Sequence, residues 1–141
     1  MDLHDALAVA RATRESTLTT IRRDSRPQLS NVLHTVGDDG RIRISTTADR
    51  AKFHNMARES WVALHVNGES FFSYAVIEGE ASLSAVAESA DDATVDQLVE
   101  VYRAVAGEHD DWETYRAAMV EEGRAVVTIS PTRAYGMTSG T

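Results

Sequence analysis

Between residues 17 and 47 the chain alternates polar and apolar side chains, and this period-two pattern is broken only by turn chemistry. Residues 17–21 and 28–36 are rich in β-branched side chains, with Asp24, Ser25, Arg26 and Pro27 between them. Gly37-Asp38-Asp39-Gly40 forms a second turn. The following run, Arg41-Ile42-Arg43-Ile44-Ser45-Thr46-Thr47, sets Ile42 and Ile44 on one face and Arg41, Arg43 and Ser45 on the other. Strands joined by such short turns pair antiparallel, because a parallel partner needs a crossover of roughly a dozen residues or more. Residues 61–66 and 71–85 predict two further strands, the longer one bending near Gly79, and residues 125–129 predict the last, ended by Pro131.

Helical spacing occurs only in short pieces. Leu3, Leu7 and Ala10 share a face in residues 2–14. Asp49 can cap a helix through Arg58 whose core positions are Phe53, Met56 and Ala57. Val95, Leu98, Val99, Tyr102 and Val105 predict a third helix ended by Gly107, and Trp112, Tyr115 and Met119 a fourth ended by Gly123. The fold class expected is therefore mainly β: an antiparallel barrel of about six strands decorated by short helices, spanning residues 1–141 as one domain. Strand–helix alternation of the doubly wound kind is absent, as are the G-x-G-x-x-G, Walker, H-E-x-x-H and G-x-S-x-G motifs.

Charge narrows the function. The net charge of −8 disfavours a nucleic-acid binder, which needs a cationic surface. Residues 1–60 carry ten basic against eight acidic side chains, whereas residues 61–141 carry four against fourteen, so an anionic ligand is expected to meet the first part of the chain. The absence of cysteine excludes disulfides, thiolate metal sites and a thiol nucleophile, and makes a reducing, cytoplasmic location the expectation. No apolar run approaches the roughly 20 residues of a membrane span. The acidic start, Met1-Asp2-Leu3-His4-Asp5, is unlike a secretory leader.

The densest chemistry lies in Ser45-Thr46-Thr47-Ala48-Asp49-Arg50-Ala51-Lys52-Phe53-His54-Asn55, a hydroxyl-rich strand end that runs into a helix. Lys52 is the sole lysine among fourteen basic residues. Cations in a first helical turn oppose the helix dipole by about a few tenths of a kcal/mol each, an arrangement that makes sense where a ligand phosphate offsets it. The other reading of these residues is a solvated surface with Asp49 as an ordinary cap. His109-Asp110-Asp111, flanked by Glu108 and Glu113, lacks fixed ligand spacing and reads as a helix cap, so no metal is expected. His34, His54, His65, Tyr74 and Tyr135 could each donate a proton, but no pattern selects one, and none is assigned a catalytic role.

The segments Thr19-Thr20-Ile21-Arg22-Arg23-Asp24-Ser25-Arg26-Pro27-Gln28-Leu29-Ser30-Asn31-Val32, Arg41-Ile42-Arg43-Ile44-Ser45-Thr46-Thr47 and Arg50-Ala51-Lys52 resemble the actinobacterial deazaflavin branch of the pyridoxamine 5′-phosphate oxidase-like proteins. These are coenzyme F420-dependent reductases of the split β-barrel type. The resemblance continues through Phe72-Ser73-Tyr74-Ala75-Val76, Glu78-Gly79, Ala106-Gly107-Glu108-His109 and Tyr135-Gly136, with Phe72 where relatives often carry tryptophan. It implies a homodimer of split barrels with cofactor sites at the subunit interface. Arg50 and Lys52 would hold the cofactor phosphate, with Ser45, Thr46 and Asn55 adding hydrogen bonds, and Gln28, Ser30 and Asn31 would border the deazaflavin ring. Ser73 and Tyr74, contributed by the other subunit, would close the site. Arg22, Arg23, Arg26, Arg41, Arg43 and Arg58 would receive the acidic cofactor tail. The implied activity is hydride transfer from reduced F420 to an electron-poor small-molecule acceptor. An FMN-binding relative, or a non-catalytic flavin, deazaflavin or haem module, is the alternative.

Overall fold

The computed structural model describes residues 1–138. Helix α1 (Leu3–Arg11) begins at Asp2, whose carboxylate accepts the Asp5 N–H, and leads into β1 (Glu15–Ile21) and β2 (Pro27–Leu33). After β3 (Thr35–Val36) and β4 (Ile42–Thr47) come α2 (Ala51–Arg58), β5 (Trp61–Asn67) and β6 (Tyr74–Leu83). The chain ends with α3 (Ala93–Ala106), α4 (Trp112–Glu121) and β7 (Arg124–Met137). The seven strands form one antiparallel sheet in the order β2-β1-β5-β6-β7-β4-β3.

Strands β2 and β3 lie at opposite edges of that order, yet His34 alone separates them. One residue spans only about 3.8 Å per peptide step, so the sheet must curl until its two edges nearly meet. The result is a barrel that is closed around most of its circumference and split where β2 faces β4. Leu18, Ile42, Ile44, Val62, Leu64, Val66, Ala75, Ile77, Val127 and Ile129 fill its interior, with Ala6 and Ala10 of α1 and Met56 of α2 packed against them. A second core lies outside the barrel. There Val95, Leu98, Val99, Val101, Tyr115 and Met119 of the α3–α4 pair cover Val126, the outward residue between the inward Ala125 and Val127.

Four expectations are corrected by this fold. The strand expected over residues 28–36 is two strands, making seven rather than about six, because His34 turns inward and carries the chain across the seam. The strand over residues 71–85 is shorter at both ends, and Phe71 and Phe72 project from the preceding loop. The last strand does not stop at Pro131. A register shift between Glu78 and Gly79 sets Glu78 opposite Arg133 and Gly79 opposite Pro131, so Pro131 sits at a bulge where its missing N–H costs no ladder bond. A side chain at Gly79 would approach the Ser130 carbonyl to 2.5 Å, which is why the bend falls on glycine. Finally, Asp49 does not cap α2: the N-cap is Arg50, no side chain caps the helix, and the Asp49 carboxylate accepts the Thr47 hydroxyl at 2.6 Å.

His34 is fully buried, and both ring nitrogens and its backbone N–H are hydrogen-bonded. Its Nε2 lies 2.8 Å from the Ala10 carbonyl, which can only accept, so Nε2 carries the proton. Nδ1, 2.7 Å from the Ser16 hydroxyl, is then the acceptor. Its backbone N–H donates to Arg14 at 2.8 Å. Burial pushes the imidazole pKa down, against a smaller opposing effect of the Ala10 carbonyl. The unfolded chain therefore takes up this proton at a higher pH than the folded one, and stability is lost as pH falls through about 6.5. Asp39, Asp49, Asp92 and Asp111, all held below the usual carboxylate range by hydrogen bonds, titrate well outside that window. Urea unfolding of the parent should show stability falling between pH 7.5 and 5.5, by at most about 1.4 kcal/mol per pH unit for one proton. His34→Gln, which keeps one donor and one acceptor, should flatten that component, and an unchanged slope would refute the role given to His34.

Candidate functional site

The split in the barrel opens into a cleft of about 560 Å³. Asn31, Val32 and Leu33 of β2 form one bank, and Ser45, Thr46 and Thr47 of β4 with Arg50 and Lys52 form the other. Val101, Tyr102, Val105 and Ala106 of α3 and Tyr115 and Met119 of α4 make an apolar end wall. The cleft thus has a cationic, hydroxyl-lined end and an aromatic, aliphatic end.

Helix α2 generates the cationic end. With no capping side chain and no acidic residue in its first turn, it leaves the Ala51 and Lys52 N–H groups without a partner among the described residues. Among the described residues neither Arg50 nor Lys52 forms an ion pair. The Arg50 Nε instead donates to the Thr47 hydroxyl at 3.2 Å. Arg124 joins them because β4 pairs with β7 so that Thr47 lies opposite Arg124 and Ser45 opposite Val126. Its guanidinium lies 3.4 Å from the Ser45 hydroxyl and 3.0 Å from the Glu122 carboxylate. Burial, and then the positive charges of Arg50 and Arg124, push the Lys52 pKa down. Three cations crowd one hydroxyl-lined pocket with one carboxylate among them, a charge and donor inventory suited to an anion.

The structure brings Ser45, Thr46, Arg50, Lys52 and Asn31 together in this cleft. Asn55 is buried behind it, donating to the Thr20 hydroxyl at 3.1 Å and to Gln28 Oε1 at 2.9 Å while accepting from Arg58 at 3.1 Å. It ties α2 to the β1–β2 hairpin, and Gln28 is its partner there. Ser30 lies beside Gln28 and Val32 on the same face of β2, opposite Leu18. Ser73 and Tyr74 are elsewhere in the protomer. Buried Ser73 is bonded to Ser70 at 3.0 Å and lines a separate cleft between α1 and the β5–β6 loop, and Tyr74 stacks on His65 with centroids 5.4 Å apart.

The remaining expectations divide in the same way. Of the arginines expected along a cofactor tail, Arg22 pairs with Asp24 at 3.2 Å and Arg43 with Asp39 at 2.8 Å, while Arg58 donates to the Ile21 carbonyl at 2.7 Å. Arg41 faces a different, polar cleft with Ser82, Gln97 and Thr128. Asp111 caps α4 through the Thr114 N–H, with His109 Nδ1 accepting the Asp111 N–H. Tyr115 keeps its proton, its pKa pushed up to about 12 by burial, and donates to the Leu98 carbonyl at 3.0 Å. Sequence reasoning missed Arg124 and the α3–α4 wall, because the register and packing that bring them here join residues about eighty positions apart.

Comparisons with known proteins agree with this architecture. A family profile described as pyridoxamine 5′-phosphate oxidase matches residues 5–138. A conserved hypothetical protein from Mycobacterium tuberculosis superposes with a TM-score of 0.73 at 22% identity, over 96% of this chain and 84% of that one. An F420 reductase superposes with a TM-score of 0.69 at 18% identity, over 91% and 94% of the respective chains. For a putative pyridoxamine 5′-phosphate oxidase from Listeria innocua the values are 0.67, 16%, 97% and 98%. At these identities the superpositions establish a shared fold. With the profile spanning nearly the whole of the split barrel, the chain belongs to the pyridoxamine 5′-phosphate oxidase family.

Proposed function

We propose that the protein is an oxidoreductase that binds coenzyme F420 in the seam of its barrel and reduces an electron-poor organic acceptor. The carrying observation is the pair Arg50 and Lys52, free of ion-pair partners among the described residues, at the uncapped start of α2 and facing a cleft with an apolar far end. A phosphate-bearing ring cofactor suits both ends of such a cleft. When bound, reduced deazaflavin supplies the hydride. The chain's own residues bind and orient: Arg50, Lys52 and Arg124 neutralise the phosphate, Ser45 and Thr46 offer hydroxyl donors, and Val101, Tyr102, Val105 and Met119 exclude water. Asn55 and Gln28 hold α2 against the hairpin and so fix the cradle. No side chain here is assigned as proton donor. His34 is locked in the core, and Tyr115 is committed to Leu98.

A second copy of the chain completes the proposal. The outer face of β2, β1, β5, β6 and β7 exposes Leu29 at 62% and Tyr135 at 49%, around a shallow apolar depression that includes Trp61, Ala63 and Val76. A homodimer would cover this face, and it would carry the Phe72, Ser73 and Tyr74 segment, remote from the cleft of its own protomer, to the partner.

Three results test this reading. Lys52→Ala should weaken F420 binding by roughly 10- to 150-fold in fluorescence titration while leaving the melting temperature nearly unchanged. Unaltered affinity in the folded variant would remove Lys52 from the site. F420 should bind more tightly than FMN at 0.1 M salt because of its acidic tail, and the gap should narrow toward 1 M as the screening length drops from about 10 to about 3 Å. Tighter FMN binding at low salt would transfer the proposal to a flavin enzyme. Sedimentation at micromolar concentration should show a dimer that Leu29→Glu with Tyr135→Glu dissociates, and a monomeric parent would defeat the dimer.

A further inference from the structure

Glu122 is the one acid among the described residues that line the cleft, where it stands with Arg50, Lys52 and Arg124. Asp49, though next to Arg50 in the chain, does not line the cleft, and its carboxylate accepts the Thr47 hydroxyl. Local preference argues against an acid at residue 122. It is the C-cap of α4, directly after Glu121, and the last turn of that helix holds no basic residue, although the carboxyl end of a helix favours cations. The position is held all the same. The Glu122 N–H donates to the Ala118 carbonyl at 2.8 Å, Gly123 turns the chain with a φ of 64°, and the Gly123 carbonyl accepts the Ala48 N–H at 2.9 Å, which ties this turn to the segment leading into α2. Arg124 spends two donors on Glu122, its Nε and Nη2 each lying 3.0 Å from Oε1. The other carboxylate oxygen, Oε2, has no partner among the described residues. The charge of Glu122 is felt in the cleft wall: burial is the main cause that raises the Tyr115 pKa, and Glu122 adds to the rise while Arg124 opposes it.

We propose that Glu122 is a specificity-determining residue that disfavours the second negative charge of a phosphate in the cradle, and so biases the site toward phosphodiesters over phosphomonoesters. This rests on the phosphate reading above. Because Glu122 compensates Arg124, the cations left uncompensated are Arg50 and Lys52. A phosphomonoester carries about 1.5 to 2 negative charges at pH 7, since its second pKa is about 6, whereas a diester has no second proton to lose and carries one. Repulsion from a fixed carboxylate scales with the charge of the ligand, so Glu122 costs a dianion about twice what it costs a monoanion. The cations attract the dianion more strongly in the same proportion, and the carboxylate trims that advantage. F420, whose phosphate is esterified on both sides, falls in the favoured class, and FMN, which ends at its phosphate, in the disfavoured one.

FMN and its phosphate monomethyl ester serve as probes, because they share the ring and the ribityl chain and differ by the second phosphate charge. Fluorescence titration at pH 7.5 and 0.1 M salt should show that Glu122→Gln tightens FMN binding about 4- to 9-fold and methyl ester binding about 2- to 3-fold. The ratio of the two dissociation constants then moves toward FMN by about 2- to 3-fold, and the movement should shrink at 1 M salt. Glu121→Gln removes the same charge from the same helix end but outside the cleft, and should leave the ratio unchanged. Glu122→Ser repeats the comparison should Glu122→Gln melt below the parent. Equal tightening of both probes would mean that Glu122 acts only by restraining Arg124, and weaker binding of both would make it a support for Arg124; either result overturns the inference, as does an equal shift from Glu121→Gln. If Lys52→Ala weakens binding while the ratio stays fixed in Glu122→Gln, the cradle reading stands and this one falls. Failure of the parent to bind either FMN or F420 would overturn both.

Discussion

His34 is the one-residue link between the two edges of the sheet, and its hydrogen bonds hold two other parts of the chain at that crossing: the end of α1 through Ala10, and the start of β1 through Ser16 and the preceding Arg14. A neutral imidazole with one donor and one acceptor satisfies all its partners without burying a charge, which a lysine or arginine at the same place could not do. Because the crossing takes a single residue, the sheet edges must converge there. Because β3 is so short, they diverge again immediately. The barrel therefore opens into a seam beside its tightest point, and the cleft occupies that seam.

What faces the seam is set by register. The β4–β7 pairing carries Arg124 to the end of β4, where Thr47 and the start of α2 already place Arg50 and Lys52. The burial of Lys52 and the repulsion among these cations, which together lower the Lys52 pKa, are maintained by a framework that gains nothing from them locally: the hydrophobic interior, the Asn55 bracket and the α3–α4 pair packed on Val126. Unfavourable local charge held by favourable distant packing is a common signature of a site prepared for a ligand of opposite sign.

Much of this was legible in the residues. Period two with short turns has only antiparallel solutions, so β1, β4 and β5 could be placed before any tertiary contact was known, with β2 and β3 read as one strand, and the bend at Gly79 was expected from glycine within a strand. The unusual first turn of α2, with two cations and no acid, singled out two residues that the structure places on the cleft. Local pattern misled where a residue's role depends on a distant neighbour. His34 fits an alternating strand, and only its burial against Ala10 and Ser16 makes it a crossing. Pro131 normally ends a strand, and only the bulge opposite Gly79 lets β7 pass it. Asp49 is a good cap in isolation, but its carboxylate takes the Thr47 hydroxyl instead.

The sequence by itself determined the antiparallel β class, the turns, and the placing of a hydroxyl-rich strand end next to Arg50 and Lys52, because each is written in neighbours a few positions apart. Only the tertiary structure decided that the sheet closes with a split, that Arg124, Tyr102 and Tyr115 reach the cleft, that Asn55 and Gln28 stand behind it, and that Ser73 and Tyr74 lie away from it. Those outcomes depend on strand order and register. Both are settled by burial of whole sheet faces and by pairing between strands tens of residues apart, information that no local window contains.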